Sequence, residues 1–247
     1  MSRNELIYGR HPVREQISAR ADAVKRVFVA DGTQHPSVNE LIDDAKRAKI
    51  SVERLSRKKL ESMVGRVAHQ GVAAEVTPFR YVEIEDLVES VTTSDRPGLL
   101  MVLDQIQDPH NLGAILRSAY ALGAHGVVIV KDRATEVTGT VAKASAGAAT
   151  KIPVARVTNL RAALEQLKDA GIWIYGAAAE AERELSEVDL TGPVAMVVGN
   201  EGKGLRRLVA ETCDALVSIP MRGELGSLNA SVSAGIVLYE VVRQRNV

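Results

Sequence analysis

Asn111, Arg117, Glu201, Ser227 and Asn229 are the residues of this chain best suited to chemistry. They lie in three polar segments: Asp104-Gln105-Ile106-Gln107-Asp108-Pro109-His110-Asn111 and on to Arg117, Gly199-Asn200-Glu201-Gly202-Lys203-Gly204, and Ile219-Pro220-Met221 leading to Ser227-Leu228-Asn229. Together they offer two amides, a hydroxyl, a carboxylate and a guanidinium. Such a set can orient a polar substrate and stabilise developing negative charge. It contains no serine–histidine–acid arrangement and no close carboxylate pair, so nothing in it points to hydrolysis.

Each residue also has a plainer reading. Ser227 is a favoured N-cap for the helix that follows. Glu201 is a negative charge near the N-terminus of the next helix. Asn229 is harder to explain structurally, because asparagine inside a first turn gains little. On the helix predicted for 109–122, Leu112, Ile115, Leu116 and Ala119 form the buried stripe. At about 100° per residue Arg117 points roughly away from that stripe, toward solvent or a partner.

The glycines of the second segment read G-x-x-G-x-G, which is not the dinucleotide fingerprint. Lys203 is followed by Gly204 rather than Ser or Thr, so the segment is not a P-loop either. Three glycines in one turn suit close approach of main-chain amides to a ligand.

Positioning these segments requires a sheet. Each begins where an apolar, β-branched run ends: 99–103, 194–198 and 215–219. Short apolar runs flanked by helical patterns read as buried parallel strands. In an open α/β sheet the ligand crevice lies beyond the carboxyl ends of the strands, so the three segments should converge there. Strand–helix alternation from residue 98 to 247 predicts an α/β body with a mostly parallel sheet and helices on both faces. Residues 1–78 read as a smaller α/β module. Residues 79–97, bracketed by Pro78 and Pro97, read as a connector carrying one acidic helix. Along the last helix, Ala230, Ala234 and Gly235 form a small-residue face suited to close approach of a second subunit.

The bulk composition, 46% apolar and 25% charged, is that of a soluble globular protein. No run approaches the roughly 18 apolar residues of a membrane span, and the first residues lack the apolar core of a signal peptide. Cys213 is the sole cysteine, which excludes an internal disulfide and a cysteine-based metal site. A cytoplasmic protein with no metal and no membrane partner is expected. Net charge is zero but unevenly spread. Residues 1–80 hold 15 Lys plus Arg against 10 Asp plus Glu, and residues 81–247 hold 16 against 21. A basic module that grips phosphate, joined to an acidic body, accounts for that split.

The patterns D-x-x-x-D-P-x-N-L-G-A-I-x-R, G-N-E-G-x-G-L and I-P-M…S-L-N-x-S resemble, in combination, the three motifs of the SpoU (TrmH-like) branch of the SPOUT RNA methyltransferases. Ile7-Tyr8-Gly9-Arg10-His11-Pro12-Val13 and His69-Gln70-Gly71 resemble the substrate-binding domain of the branch that methylates a guanosine ribose in 23S rRNA. Ala230 stands where many relatives carry valine, a conservative departure. The resemblance implies a trefoil knot near the C-terminus and a homodimer. It also implies S-adenosyl-L-methionine held by the loops, with Gly199, Ile219 and Leu228 at cofactor-contacting positions. Arg10, His11, His69 and Gln70 become the RNA-contacting candidates, with 23S rRNA or a large-subunit assembly intermediate as partner.

The implied reaction is methyl transfer to a ribose 2′-hydroxyl. The family casts Arg117 as a general base, but a guanidinium stays protonated. The expected role is instead a bidentate phosphate clamp that stabilises developing alkoxide charge. Asn111 and Asn229 would orient ribose and phosphate, Ser227 would contact the nucleotide or relay a proton, and Glu201 would orient Arg117. Two alternatives stand beside this: a tRNA ribose methyltransferase, and a non-catalytic RNA-binding assembly factor.

Overall fold

A computed structural model describes residues 5–65, 67–223 and 226–245. Residues 1–4, on which the signal-peptide reading rests, and Glu224-Leu225, within the third motif, lie outside that range. The chain divides into two compact units: 1–80 with 137–146, and 81–136 with 147–247.

In the first unit the elements run β1 (Glu5–Tyr8), α1 (Arg10–Ala19), β2 (Val24–Ala30), α2 (Pro36–Arg47), β3 (Ser51–Leu55), α3 (Arg57–Val64) and β4 (Val72–Val76). The strands form one sheet in the order β1-β4-β2-β3, antiparallel except for β2 and β3. Alternation along β2 splits its side chains between two cores. Val27 and Val29 face Val13, Ile17, Val38 and Leu41, whereas Phe28 and Ala30 face Leu60 of α3. The helix Gly139–Ala144, expected within the second domain, belongs to this unit and packs on α1. Gly139 has to be glycine there, because a Cβ would meet Gln16 backbone at 2.9 Å.

The second unit opens with α4 (Ile84–Thr92), then β5 (Leu99–Asp104), α5 (Pro109–Ala121) and β6 (Gly126–Val130); the helix at 139–144 takes the label α6. There follow β7 (Val154–Val157), α7 (Leu160–Asp169), β8 (Trp173–Ala177), β9 (Arg183–Glu184), β10 (Val194–Gly199), α8 (Arg207–Thr212), β11 (Ala215–Ser218) and α9 (Ala230–Arg245). Seven parallel strands lie in the order β7-β6-β5-β10-β8-β11-β9. The stretch 79–97, expected as a connector, supplies α4. Its Ile84, Leu87 and Val91 are buried in the same core as Leu100, Val128, Leu164 and Val197. Helices α5 and α9 pack on each other, and α9 also packs on β10.

Arg245 fastens the end of α9. Its guanidinium donates to the carbonyls of Leu190, Pro97, Gly98 and Gly192, at 2.6–3.1 Å. Of the expected small-residue interface face, Ala230 and Ala234 are 3% and 0% exposed within the chain itself and so already covered, whereas Gly235 is partly exposed and nothing lies within 4 Å of a Cβ placed on it. The exposed side of α9 carries Val232 and Tyr239 instead.

Candidate active site

β5 and β10 lie side by side with Asp104 opposite Gly199, so the first two motifs leave the sheet together. Asp104 is fully buried at the end of an apolar strand, a costly place for an unpaired carboxylate. It accepts from the Arg206 backbone N–H at 2.8 Å and from Arg206 Nε at 2.7 Å. That pair closes the 199–205 loop onto the sheet. The loop is a tight reversal: Asn200 and Gly204 exchange backbone hydrogen bonds of 3.1 and 2.8 Å. A Cβ on Gly199 would sit 2.2 Å from the Gly204 carbonyl carbon, and Gly204 has φ +64°. These two glycines are therefore demanded by the loop's own backbone, not by a ligand. Asn200 Nδ2 donates to the Gln105 carbonyl at 3.1 Å, tying the loop to the first motif.

Three of the expected catalytic residues meet directly. Glu201 Oε1 accepts from Asn111 Nδ2 at 2.6 Å, from Asn229 Nδ2, and from the Ala230 backbone N–H at 3.2 Å. Asn229 Nδ2 also reaches Asn111 Oδ1 at 3.1 Å. One carboxylate thus joins a residue from each motif. Its helix partner is α9 rather than α8, which corrects the plainer reading of Glu201. The cap of α9 is corrected too. Asn229 Oδ1 accepts from the N–H groups of Ser231 and Val232 at 2.9 and 3.3 Å, as an N-cap does. Ser227 lies two residues before the cap and is exposed.

Arg117 does not join this cluster. It is exposed on α5 and has no hydrogen bond or ion pair among the described residues. Glu201, expected to orient it, is instead engaged by the two asparagines.

Beyond the carboxyl ends of β8, β10 and β11 lies a cavity of about 600 Å³. Gly199, Ile219 and Leu228, the three expected cofactor positions, line it, and so do Glu201 and Ser227. Val198, Leu205 and Met221 add apolar wall, and Glu180 adds a second carboxylate. Asp104, Arg206 and Asn200 were not picked out as functional by sequence reasoning. An acidic residue closing an all-apolar strand was the available signal for Asp104.

In the first unit, Arg10 and Gln70 meet: Gln70 Oε1 accepts from the Arg10 backbone N–H at 3.2 Å and from Arg10 Nε at 3.5 Å. His11 is exposed, 3.8 Å from Glu15. His69 is 3% exposed and its Nδ1 accepts from the Gly71 N–H at 3.1 Å, so it builds the turn and offers no free face to RNA.

Residues 98–239 match the SpoU rRNA Methylase family, and residues 6–82 match a substrate-binding family of RNA 2′-O ribose methyltransferases. The chain belongs to the SpoU rRNA methylase family. Among its SpoU relatives, it is 46% identical to the 23S rRNA (guanosine-2′-O-)-methyltransferase RlmB of Xanthomonas campestris, over 98% of this chain and 97% of that one. It is 44% identical to the RlmB of Pseudomonas putida, over 100% of this chain and 99% of that one. The solved SpoU methyltransferase AviRb of Streptomyces viridochromogenes, in complex with AdoMet, superposes with a TM-score of 0.64 at 26% identity, covering 98% of this chain and 91% of AviRb. Among the described residues, no helix is long and apolar enough to cross a membrane, and no cluster of three His, Cys, Asp or Glu could hold a metal.

Proposed function

We propose that this protein transfers a methyl group from S-adenosyl-L-methionine to the ribose 2′-hydroxyl of a guanosine in 23S rRNA. The observation that carries this reading is the meeting of all three motifs at Glu201, on the rim of a cavity at the strand ends. The cavity fits the cofactor: its volume suits a small-molecule site. It offers apolar wall for a base and two carboxylates for a cationic group. Gly199, Ile219 and Leu228 would hold it. Bound there, S-adenosyl-L-methionine supplies an electrophilic methyl on a sulfonium sulfur.

The remaining work is alignment and charge. Glu201 fixes the 199–205 loop against α5 and the start of α9, so the cavity wall and the substrate-facing amides move as one body. Asn111 and Asn229 present the polar floor on which ribose and phosphate are oriented. Ser227, exposed on the rim, contacts the nucleotide. Arg117, without a partner among the described residues, clamps the neighbouring phosphate through its planar fork and offsets alkoxide charge as the hydroxyl loses its proton. The loops around the cavity form the trefoil knot implied by family membership. A homodimer forms through the exposed side of α9, with Val232 and Tyr239 at its centre. The working compartment is the cytoplasm, and the RNA partner is 23S rRNA or a large-subunit assembly intermediate.

Incubation with methyl-labelled S-adenosyl-L-methionine and unmodified 23S rRNA tests the assignment. Label should enter the rRNA and protect a single phosphodiester beside a guanosine from alkaline cleavage. Label in tRNA and none in rRNA would overturn the rRNA assignment.

A further inference from the structure

The first unit carries a built surface that the catalytic reading leaves unused. Strand register puts the carboxyl ends of β1, β2 and β3 and the start of β4 at one end of its sheet. Four loops meet there. Tyr8 is the last residue of β1, and its side chain is on the sheet face that carries Ala73 and Phe28 and packs against α3. It is 42% exposed in a chain with only 8 aromatic residues. Two residues on, the Arg10 guanidinium is held by Gln70 Oε1 on Nε and by Ser37 Oγ on Nη1 at 3.4 Å, and Nη2 has no hydrogen bond among the described residues.

Backbone strain is spent on holding that guanidinium. Gln70 has φ +52°, a left-handed conformation uncommon outside glycine. Gly71 follows at φ +77°, where a Cβ would strike Thr33 Oγ1 at 2.5 Å. Buried His69 closes the turn. A strained turn packed closely on Thr33 therefore aims one amide oxygen at one arginine. At the same sheet end α3 begins Arg57-Lys58-Lys59, and cations in a first turn oppose the helix dipole. Lys58 and Lys59 have no side-chain partner to offset that cost among the described residues. An exposed ring beside a fixed guanidinium and unpaired lysines matches a single-stranded nucleic acid, with base on ring and phosphates on cations.

We propose that this end of the first unit is a platform for single-stranded RNA, in which Tyr8 stacks an unpaired base and Arg10, held by Gln70 and Ser37, takes an adjacent phosphate. The proposal rests on the rRNA substrate assigned above. Tyr8 and Arg10 belong to the first unit, whereas every residue assigned to the reaction belongs to the second, so Tyr8 affects binding and not the methyl-transfer step.

The test uses full-length protein and a 23S rRNA transcript, with filter binding at several salt concentrations beside steady-state methylation. Tyr8→Ala should weaken binding and raise KM about 5- to 100-fold. Its kcat, its affinity for S-adenosyl-L-methionine and its salt slope should match wild type. Tyr8→Phe should bind within about twofold of wild type, since the ring carries the contact. Arg10→Ala should weaken binding and flatten the salt slope by about one phosphate contact. Tyr8 is exposed, so thermal melting should be unchanged, and Tyr8→Leu repeats the test with side-chain bulk kept. Wild-type binding by Tyr8→Ala overturns the platform, as does a Tyr8→Phe protein as weak as Tyr8→Ala. A wild-type protein that binds rRNA but transfers no methyl group overturns the reaction assigned above, while the binding arm still decides the platform.

Discussion

Glu201 shows how one side chain serves both structure and chemistry. Its Oε1 takes three donors, so removing its charge should loosen a loop and a helix start together. Arg117 is the opposite case, exposed and with no hydrogen bond or ion pair among the described residues to lose. Arg117→Ala should therefore keep the melting temperature and the affinity for S-adenosyl-L-methionine, yet lower methyl transfer by at least about 100-fold, the scale of one lost charge-stabilising donor. Arg117→Lys should recover only part, because an ammonium lacks the planar fork. Full turnover in Arg117→Ala would remove it from the mechanism. His125, isolated in the sequence, has a structural explanation. Nδ1 accepts from the Leu99 N–H at 3.1 Å at the start of β5, and Nε2 lies 3.0 Å from Ser94 Oγ. Burial, then repulsion from Arg96, holds its pKa below the ordinary histidine value of 6.5. The unfolded chain thus takes up this proton at higher pH than the folded one. Its contribution to stability is complete above the ordinary histidine range and declines as pH falls through that range toward the folded value. Denaturant titrations at about pH 7.5 and about pH 5.5 should show a smaller loss for His125→Gln than for wild type. Equal losses would exclude His125 as a contributor.

The strands β5, β6 and β10 were the most legible elements, because each is a continuous, almost wholly apolar run buried on both faces, and the ends of β5 and β10 set where the first two motifs leave the sheet. The caps were less legible. Ser227 and Asn229 are both good N-caps by type, and only backbone geometry shows that the helix starts at Ala230 with Asn229 as its cap. The 178–193 segment gave no periodic signal, since its strand is two residues long and its buried anchors, Leu185, Val188 and Leu190, follow no single repeat. On α9, small residues were read as a face for a partner. Ala230 and Ala234 are buried where α9 packs on α5 and β10, whereas Gly235 has open space beside it. Replacing fully buried Ala234 by Leu should overpack that contact at a cost of about 1–3 kcal/mol and lower the melting temperature. Sedimentation of Ala234→Leu should match wild type, whereas Tyr239→Arg, on the exposed side, should shift the protein toward monomer. An Ala234→Leu protein that dissociates at wild-type stability would return the interface to the small-residue face.

At the scale of the whole molecule, the sequence pattern suggested a module, a connector and a body. The structure assigns the chain differently, because burial rather than composition sets a unit's limits. Residues 81–97 lie in the second unit, and residues 137–146 lie in the first. A truncation placed at residue 95, where the sequence invites it, would strip α4 from the core. Leu87 is 1% exposed, Val91 5% and Ile84 8%, and Gly98 and Gly126 leave room for Val91 and Leu87 against the sheet. At about 1.5–3 kcal/mol for each buried side chain, their loss removes roughly 5–9 kcal/mol. That is comparable to the whole stability of a typical domain, about 5–15 kcal/mol. A fragment of residues 96–247 should accordingly aggregate or melt without cooperativity. A fragment of residues 81–247 should keep a cooperative transition and bind S-adenosyl-L-methionine, because every motif and the full sheet remain. It should melt below the full chain, since Val141 and Ala142, 0% and 1% exposed, lose the surface of α1. Its rRNA affinity should fall sharply, because the 1–80 segment carries an excess of five positive charges, 15 against 10, and the remainder an excess of five negative, 16 against 21. Calorimetry of the two fragments decides the boundary. If residues 96–247 melt cooperatively at the temperature of residues 81–247, α4 contributes nothing to the catalytic core and the connector reading is restored.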